Sequence, residues 1–131
     1  MAGMPRNVFL SFAMEDQRLA NAFRAQARNG RSDLEFRDYS VKEPFERAWK
    51  TNVERLIRMC SATICLVGES TWSSDAVDWE IRKSIQLGKK VVAVRLGPDV
   101  REVPGALREL RVPVVPWDIE AIMRELGGVA A

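Results

Sequence analysis

The chain has 131 residues, of which 47% are hydrophobic, 29% charged and 8% aromatic. One domain spanning 1–131 can bury roughly two thirds of its unfolded surface, so it needs neither disulfides nor metal, and the mixture excludes both a disordered tail and a membrane protein. Twenty Lys and Arg against 18 Asp and Glu leave a net charge of +2, which makes no electrostatic case for nucleic acid. There is no histidine, so His-based triads, His proton shuttles and most catalytic zinc sites are excluded.

Met1 to Arg6 holds no apolar signal segment, and no stretch approaches the ~18 apolar residues of a spanning helix, so a soluble, cytoplasmic domain without membrane contact is expected. Val8–Phe12 is the first strand. Glu15 to Arg28 follows as a helix with Leu19, Phe23 and Ala27 four apart, then a short strand at Leu34–Phe36. Phe45 to Cys60 carries the clearest stripe (Phe45, Trp49, Val53, Leu56, Ile57, Cys60), with Pro44 suited to the first turn. Thr63–Val67 and Val91–Leu96 are apolar almost throughout, as strands covered on both faces are. Between them Asp75 to Leu87 repeats Val77, Ile81 and Ile85 and is closed by Gly88. A short helix at Gly105–Leu110, a strand at Val112–Val115 whose Pro113 suits a sheet edge, and a helix at Asp118–Leu126 end the series. Alternating strand and helix predict an α/β domain: a five-stranded parallel sheet of flavodoxin-like order 2-1-3-4-5, flanked by helices.

In such a sheet the chemistry sits on the loops after the strands, here Ser11–Asp16, Arg37–Glu43 and Gly68–Asp75. No glycine-rich phosphate loop is present. Strand three ends Leu66-Val67-Gly68 without the aspartate a phosphorelay receiver needs. Cys60 and Cys65, separated by four residues, have neither zinc nor redox spacing, and no other pattern suggests a metal; Cys65 lies in an apolar run and is read as core.

Asn7-Val8-Phe9-Leu10-Ser11-Phe12-Ala13-Met14-Glu15-Asp16 resembles the first box of TIR domains, Phe36-Arg37-Asp38 is similar to the start of their BB loop, and Ser70 to Glu80 followed by Gly88-Lys89-Lys90-Val91-Val92 looks like the segment holding their catalytic glutamate. The compact form resembles the bacterial TIR-like family of Thoeris antiphage defence. The resemblance implies cleavage of the nicotinamide–ribose bond of NAD, giving ADP-ribose or a cyclised or conjugated signal nucleotide. NAD is then the substrate and no cofactor is needed. It places Glu80 as the catalytic carboxylate, Ser11, Phe12 and Ala13 on the nucleotide-lining loop, and Asp38 in the BB loop. It also implies self-association through TIR–TIR contacts. Two positions depart from the family pattern: Ala76 stands where a Trp usually precedes the glutamate by four residues, and Pro44 is followed by Phe45 where Pro-Gly is usual. Trp72 and Trp79 are both candidates for the missing aromatic.

Helical pitch places Glu80 about 60° outside the apolar stripe of its helix, at the mouth and near the surface. A fixed carboxylate there stabilises an oxocarbenium-like state, and nicotinamide leaves from a cationic ring without a general acid. Phe12, Tyr39 and Trp72 are candidate stacking walls, Ser11 and Ser70 candidate ribose contacts, and Trp79 with Lys42 a candidate interface, since Trp79 points about 160° from the stripe. Two other functions fit the layout: a TIR-like module that assembles or binds a nucleotide without cleaving it, and a nucleoside deoxyribosyltransferase, which shares the glutamate but lacks the first box.

Overall fold

The computed structural model of the protein describes residues 6–30, 34–37 and 47–130. β1 (Arg6–Ser11) leads through a 3-10 turn (Met14–Asp16) into α1 (Gln17–Gly30), followed by β2 (Leu34–Arg37) and α2 (Arg47–Met59). β3 (Ala62–Val67), a second 3-10 turn (Thr71–Ser73) and α3 (Asp75–Gln86) come next, then β4 (Lys90–Arg95), α4 (Gly105–Glu109), β5 (Val114–Pro116) and α5 (Ile119–Ala130). The strands form one parallel sheet in the order β2-β1-β3-β4-β5, the predicted topology. The build direction reverses between β1 and β3, so the crevice of this sheet opens at their carboxyl ends. Ser11 stands there in register with Cys65.

The helices form where the periodicity puts them, and their ends have local causes. Ser74 caps α3, its hydroxyl accepting from the Val77 backbone N–H at 3.2 Å. Gly88, at φ +78°, ends that helix in the left-handed region that glycine enters without penalty. Several boundaries move, most of them by one or two residues, and α5 runs past its predicted end at Leu126 to Ala130. β1 ends at Ser11, one residue early, and α1 starts at Gln17 because Met14–Asp16 winds as a tighter 3-10 turn. β5 is shifted to Val114–Pro116, and Pro113 stays just outside it, its carbonyl accepting from Ala93 N–H at 2.9 Å. Phe45 and Glu46 of the predicted second helix lie outside the described residues.

Strand alternation sorts the core onto two faces. Val8, Leu10 and Phe12 turn toward α1 and α5, where Ala20, Phe23, Ile122 and Leu126 meet them. Phe9, one residue out of phase, turns toward α2 and packs with Trp49, Val53 and Ile57. Across β3 and β4 the same face joins Cys65, Val67 and Ala93 to Val77 and Ile81 of α3 and Leu107 of α4. Each such large side chain contributes about 1.5–3 kcal/mol by leaving water. Period two therefore points Ser11, like Phe9, at the α2–α3 side. That single parity sets up the site.

Candidate active site

Ser11 and Glu80 meet inside the protein. Both are 0% exposed, and the Ser11 hydroxyl donates to Glu80 Oε1 at 2.5 Å. Ser11 comes from the last position of β1 and Glu80 from the second turn of α3, 69 residues later. The turn carrying Glu80 is fastened to the sheet from below: Ser84 Oγ donates to the Glu80 carbonyl at 2.8 Å and lies 2.8 Å from Thr63 Oγ1 on β3. A buried carboxylate that accepts from a hydroxyl at a strand end is a positioned group, since leaving it unsatisfied would cost several kcal/mol.

This location corrects the expectation of a glutamate at the surface. The arc between the apolar stripe of α3 and its polar face is not solvent here, because α2 covers it. Trp79 is corrected for the same reason. Its ring lies 5.2 Å from that of Trp49, and the Lys50 and Lys83 ammonium groups sit 5.6 and 5.5 Å from its centroid, so it is a partly buried wall between α2 and α3. Phe12 is also corrected as a stacking platform: it is 0% exposed in the cluster under α1 and α5. Trp72 is 52% exposed and keeps a free ring face.

Two clefts open near the amino end of α3, and neither is lined by the buried Ser11 or Glu80. One of about 280 Å³ is lined by Ala13, Glu15, Ser70, Ser73, Ser74 and Ala76, at the amino end of α3. The other, of about 330 Å³, lies between α2 and α3 and is walled by Trp49, Lys50, Ala76 and Trp79. Ala76, one helical turn before Glu80, lines both together with Asp75, and the second cleft carries Asp78 and Arg82 beside its two tryptophans. The structure thus brings Ser11, Ala13, Ser70 and Glu80 to one end of the sheet. Asp38, Tyr39 and Lys42 lie outside the described residues.

Sequence reasoning passed over a clasp beside this site. Gly68 N–H donates to Thr71 Oγ1 at 2.8 Å, and Thr71 Oγ1 donates to Asp16 Oδ2 at 3.3 Å, joining the loops after β1 and β3. A Cβ on Gly68 would stand 2.3 Å from that carboxylate, so a side chain there would push Asp16 aside and open the clasp. Burial pushes the Asp16 carboxyl above its ordinary value, and the Thr71 hydrogen bond opposes the shift. No residue spacing announces such a clasp; only the end of an apolar strand in Gly marks one corner of it. Cys60 is buried and its thiol is pushed up to about 11, which leaves it protonated and inert. Among the described residues no cluster of acids and thiols has metal-holding geometry, and no helix is long and apolar enough to cross a membrane.

With this geometry in place, the protein can be set beside known ones. It is similar in fold to the TIR domain of the Toll-related receptor TRR-2 from Hydra magnipapillata (16% identity, 91% of this chain and 89% of that one, TM-score 0.60). It is equally similar to the Clostridium botulinum CMP N-glycosidase BcmB (18% identity, 93% and 98% covered, TM-score 0.59). No curated protein matches the chain. A family model described as "Thoeris protein ThsB, TIR-like domain" matches residues 9–101, a span that takes in the end of β1 with Ser11, the Gly68–Asp16 clasp and α3 with Glu80. The chain belongs to the TIR-like family of Thoeris protein ThsB.

Proposed function

We propose that the protein cleaves the N-glycosidic bond of NAD, with Glu80 as the catalytic carboxylate, and that the resulting ADP-ribose-derived nucleotide serves as a signal in bacterial antiphage defence. The observation that carries this reading is the buried Ser11–Glu80 hydrogen bond at the switch point of the sheet. In the reaction the C1′–N bond breaks and its electron pair returns to the pyridinium ring, which leaves as neutral nicotinamide. Positive charge develops on the ribose ring, and the Glu80 carboxylate stabilises it. Water adds to C1′ and loses its proton to give ADP-ribose; a nucleophile within the same molecule gives a cyclic product instead. Ser11 holds the carboxylate in one rotamer, which is worth most where water is excluded. NAD is favoured over CMP, the substrate named for one structural neighbour, because nicotinamide leaves from an already cationic ring, whereas a neutral cytosine needs a proton from a general acid. The polar cleft by Ser70 and Ala13 receives the ribose, its Glu15 and Asp75 carboxylates turn the phosphates away toward its rim, and the exposed Trp72 gives a base a flat face.

The complete burial of Glu80 favours a second reading, a module that assembles or binds a nucleotide without cleaving it. Under the first reading substrate reaches Glu80 only when the α2–α3 side parts, which ties activity to assembly. Met14 and Trp72 are exposed around the cleft mouth at 47% and 52% and give a second copy an apolar surface. Incubating the protein at high concentration with NAD and, separately, with CMP, and following free base by chromatography, decides between the readings. Nicotinamide from NAD supports the proposal. Cytosine from CMP alone overturns the substrate, and no free base from either, in a sample shown to be self-associated, supports the assembly module.

A further inference from the structure

Among the described residues two buried side-chain nitrogens have no hydrogen-bond partner, Trp49 Nε1 and Arg95 Nε. The second is the more expensive, because it belongs to a full charge. Arg95 is the last residue of β4, held in register with Val67 on β3 and Pro116 on β5, so its backbone is fixed from both sides. It forms no ion pair among the described residues, whereas Arg24, Arg37, Arg58 and Arg82 each find an oxygen on a neighbouring side chain. Arg95 lines a cleft of about 340 Å³ with Leu96, Gly97, Pro98, Pro116 and Trp117. No acid stands in that lining. Its cation faces walls that are otherwise apolar.

Trp117 is held ready beside it. Its indole N–H donates to Gln26 Oε1 at 2.8 Å, and its ring meets Phe23 at 6.0 Å, so the plane is set before anything binds. An unpaired guanidinium on a fixed backbone, next to a fixed aromatic wall, recognises two features together: an oxyanion, which accepts two parallel N–H bonds, and a flat ring attached to it. The position agrees with the general rule for open α/β sheets, in which ligands bind outside the carboxyl ends of the strands. The site lies two strands from Ser11, roughly 10 Å across the sheet at ordinary strand spacing. It is therefore distinct from the Ser11–Glu80 centre.

We propose that the β4–β5 cleft is a second binding site, for a small flat-ringed oxyanion whose phosphate or carboxylate sits on Arg95 and whose ring lies against Trp117. The site does not depend on the reaction at Glu80. Its test uses the whole chain labelled with nitrogen-15, following the Arg95 Nε–H and Trp117 indole N–H resonances. The probes are AMP, benzoate, inorganic phosphate and adenosine, each added to about 10 mM. Saturable shifts of both resonances with AMP or benzoate, several-fold tighter than with phosphate or adenosine alone, support the site, and the tighter of the two assigns phosphate or carboxylate. Arg95→Gln is expected to weaken that binding at least tenfold; Arg95→Lys, which keeps the charge and removes the fork, is expected to weaken it several-fold, and Glu80→Gln is expected to leave it unchanged. If neither AMP nor benzoate saturates, or if Glu80→Gln weakens binding as much as Arg95→Gln does, the proposal is wrong. Because the wild-type resonances report directly, a variant that fails to fold does not shield it.

Discussion

Two of the three acids of helix α3, Asp78 and Glu80, stand two residues apart, and the fold uses them in opposite ways. Asp78 takes Arg82 Nε at 2.7 Å and the Ala106 N–H at 2.9 Å, while Arg82 reaches on to Glu109 at 3.0 Å. That network braces α3 against α4 at the edge of solvent. Glu80 turns the other way, is fully buried, and receives a hydroxyl from β1. The brace is the kind of exposed ion-pair network that helps a little and is screened by salt. The buried pair carries a desolvation cost that an apolar side chain would avoid. That cost, at the carboxyl end of the sheet, is consistent with the catalytic role proposed for Glu80.

Breaking each half separately tests this contrast. The largest stability effect is expected from Glu80→Ala, which removes buried atoms and leaves the Ser11 hydroxyl without this acceptor. A loss of about 2–3 kcal/mol by urea unfolding is expected, where a surface glutamate would lose under about 0.5. A change inside that smaller range would mean that burial of Glu80 is not a feature of the folded protein.

Ser11→Ala keeps the carboxylate and removes its tether. Nicotinamide release is expected to fall about tenfold in kcat with KM little changed, the value of one hydrogen bond of about 1.4 kcal/mol realised in the transition state. A rise in KM at constant kcat would instead make Ser11 a substrate contact, the role its loop position suggested.

The smallest effect belongs to the brace. Arg82→Ala is expected to move Tm by only about 1–2 °C and to leave NAD cleavage intact. It also has a pH signature. The Arg82 hydrogen bonds hold the Glu109 carboxyl below its ordinary value of 4.5. A carboxylate with a depressed folded-state pKa stabilises above its unfolded value and loses that contribution as pH falls through the folded one. The Tm difference between wild type and Arg82→Ala is therefore expected to be full at neutral pH, to shrink as pH falls below the ordinary value of 4.5, and to be lost once pH has passed through the depressed folded value. A difference that persisted at low pH would assign it to packing of the arginine stem.

The contrast also shows what the sequence made legible. Strand order, the Ser74 cap, the Gly88 stop and the buried strands β3 and β4 follow from periodicity and turn chemistry, which are local. Glu80 was identifiable through its family position, and Ser11 through its place at a strand end. Their contact was not, since it joins residues 69 apart and depends on β1 presenting odd-numbered side chains to α2 and α3. The exposure of Glu80 and Trp79 was misjudged for one reason. A helical projection ranks residues by the apolar stripe of their own helix and does not know that a second helix, carrying Trp49, covers the next arc. Phe12 was misplaced by the same parity that seats Ser11. The Gly68–Thr71–Asp16 clasp joins three loop positions without any periodic signal.

The most direct measurement is nicotinamide release from NAD by wild type and Glu80→Gln at matched high concentration, with Tm recorded on the same samples. Glutamine keeps the volume and an acceptor for Ser11 but removes the charge that stabilises the ribosyl cation. Wild type is expected to release nicotinamide and Glu80→Gln to lose at least a thousandfold of that rate, about 4 kcal/mol of transition-state stabilisation, with Tm within a few degrees of wild type. Nicotinamide release by Glu80→Gln at the wild-type rate, with the fold intact, would contradict it.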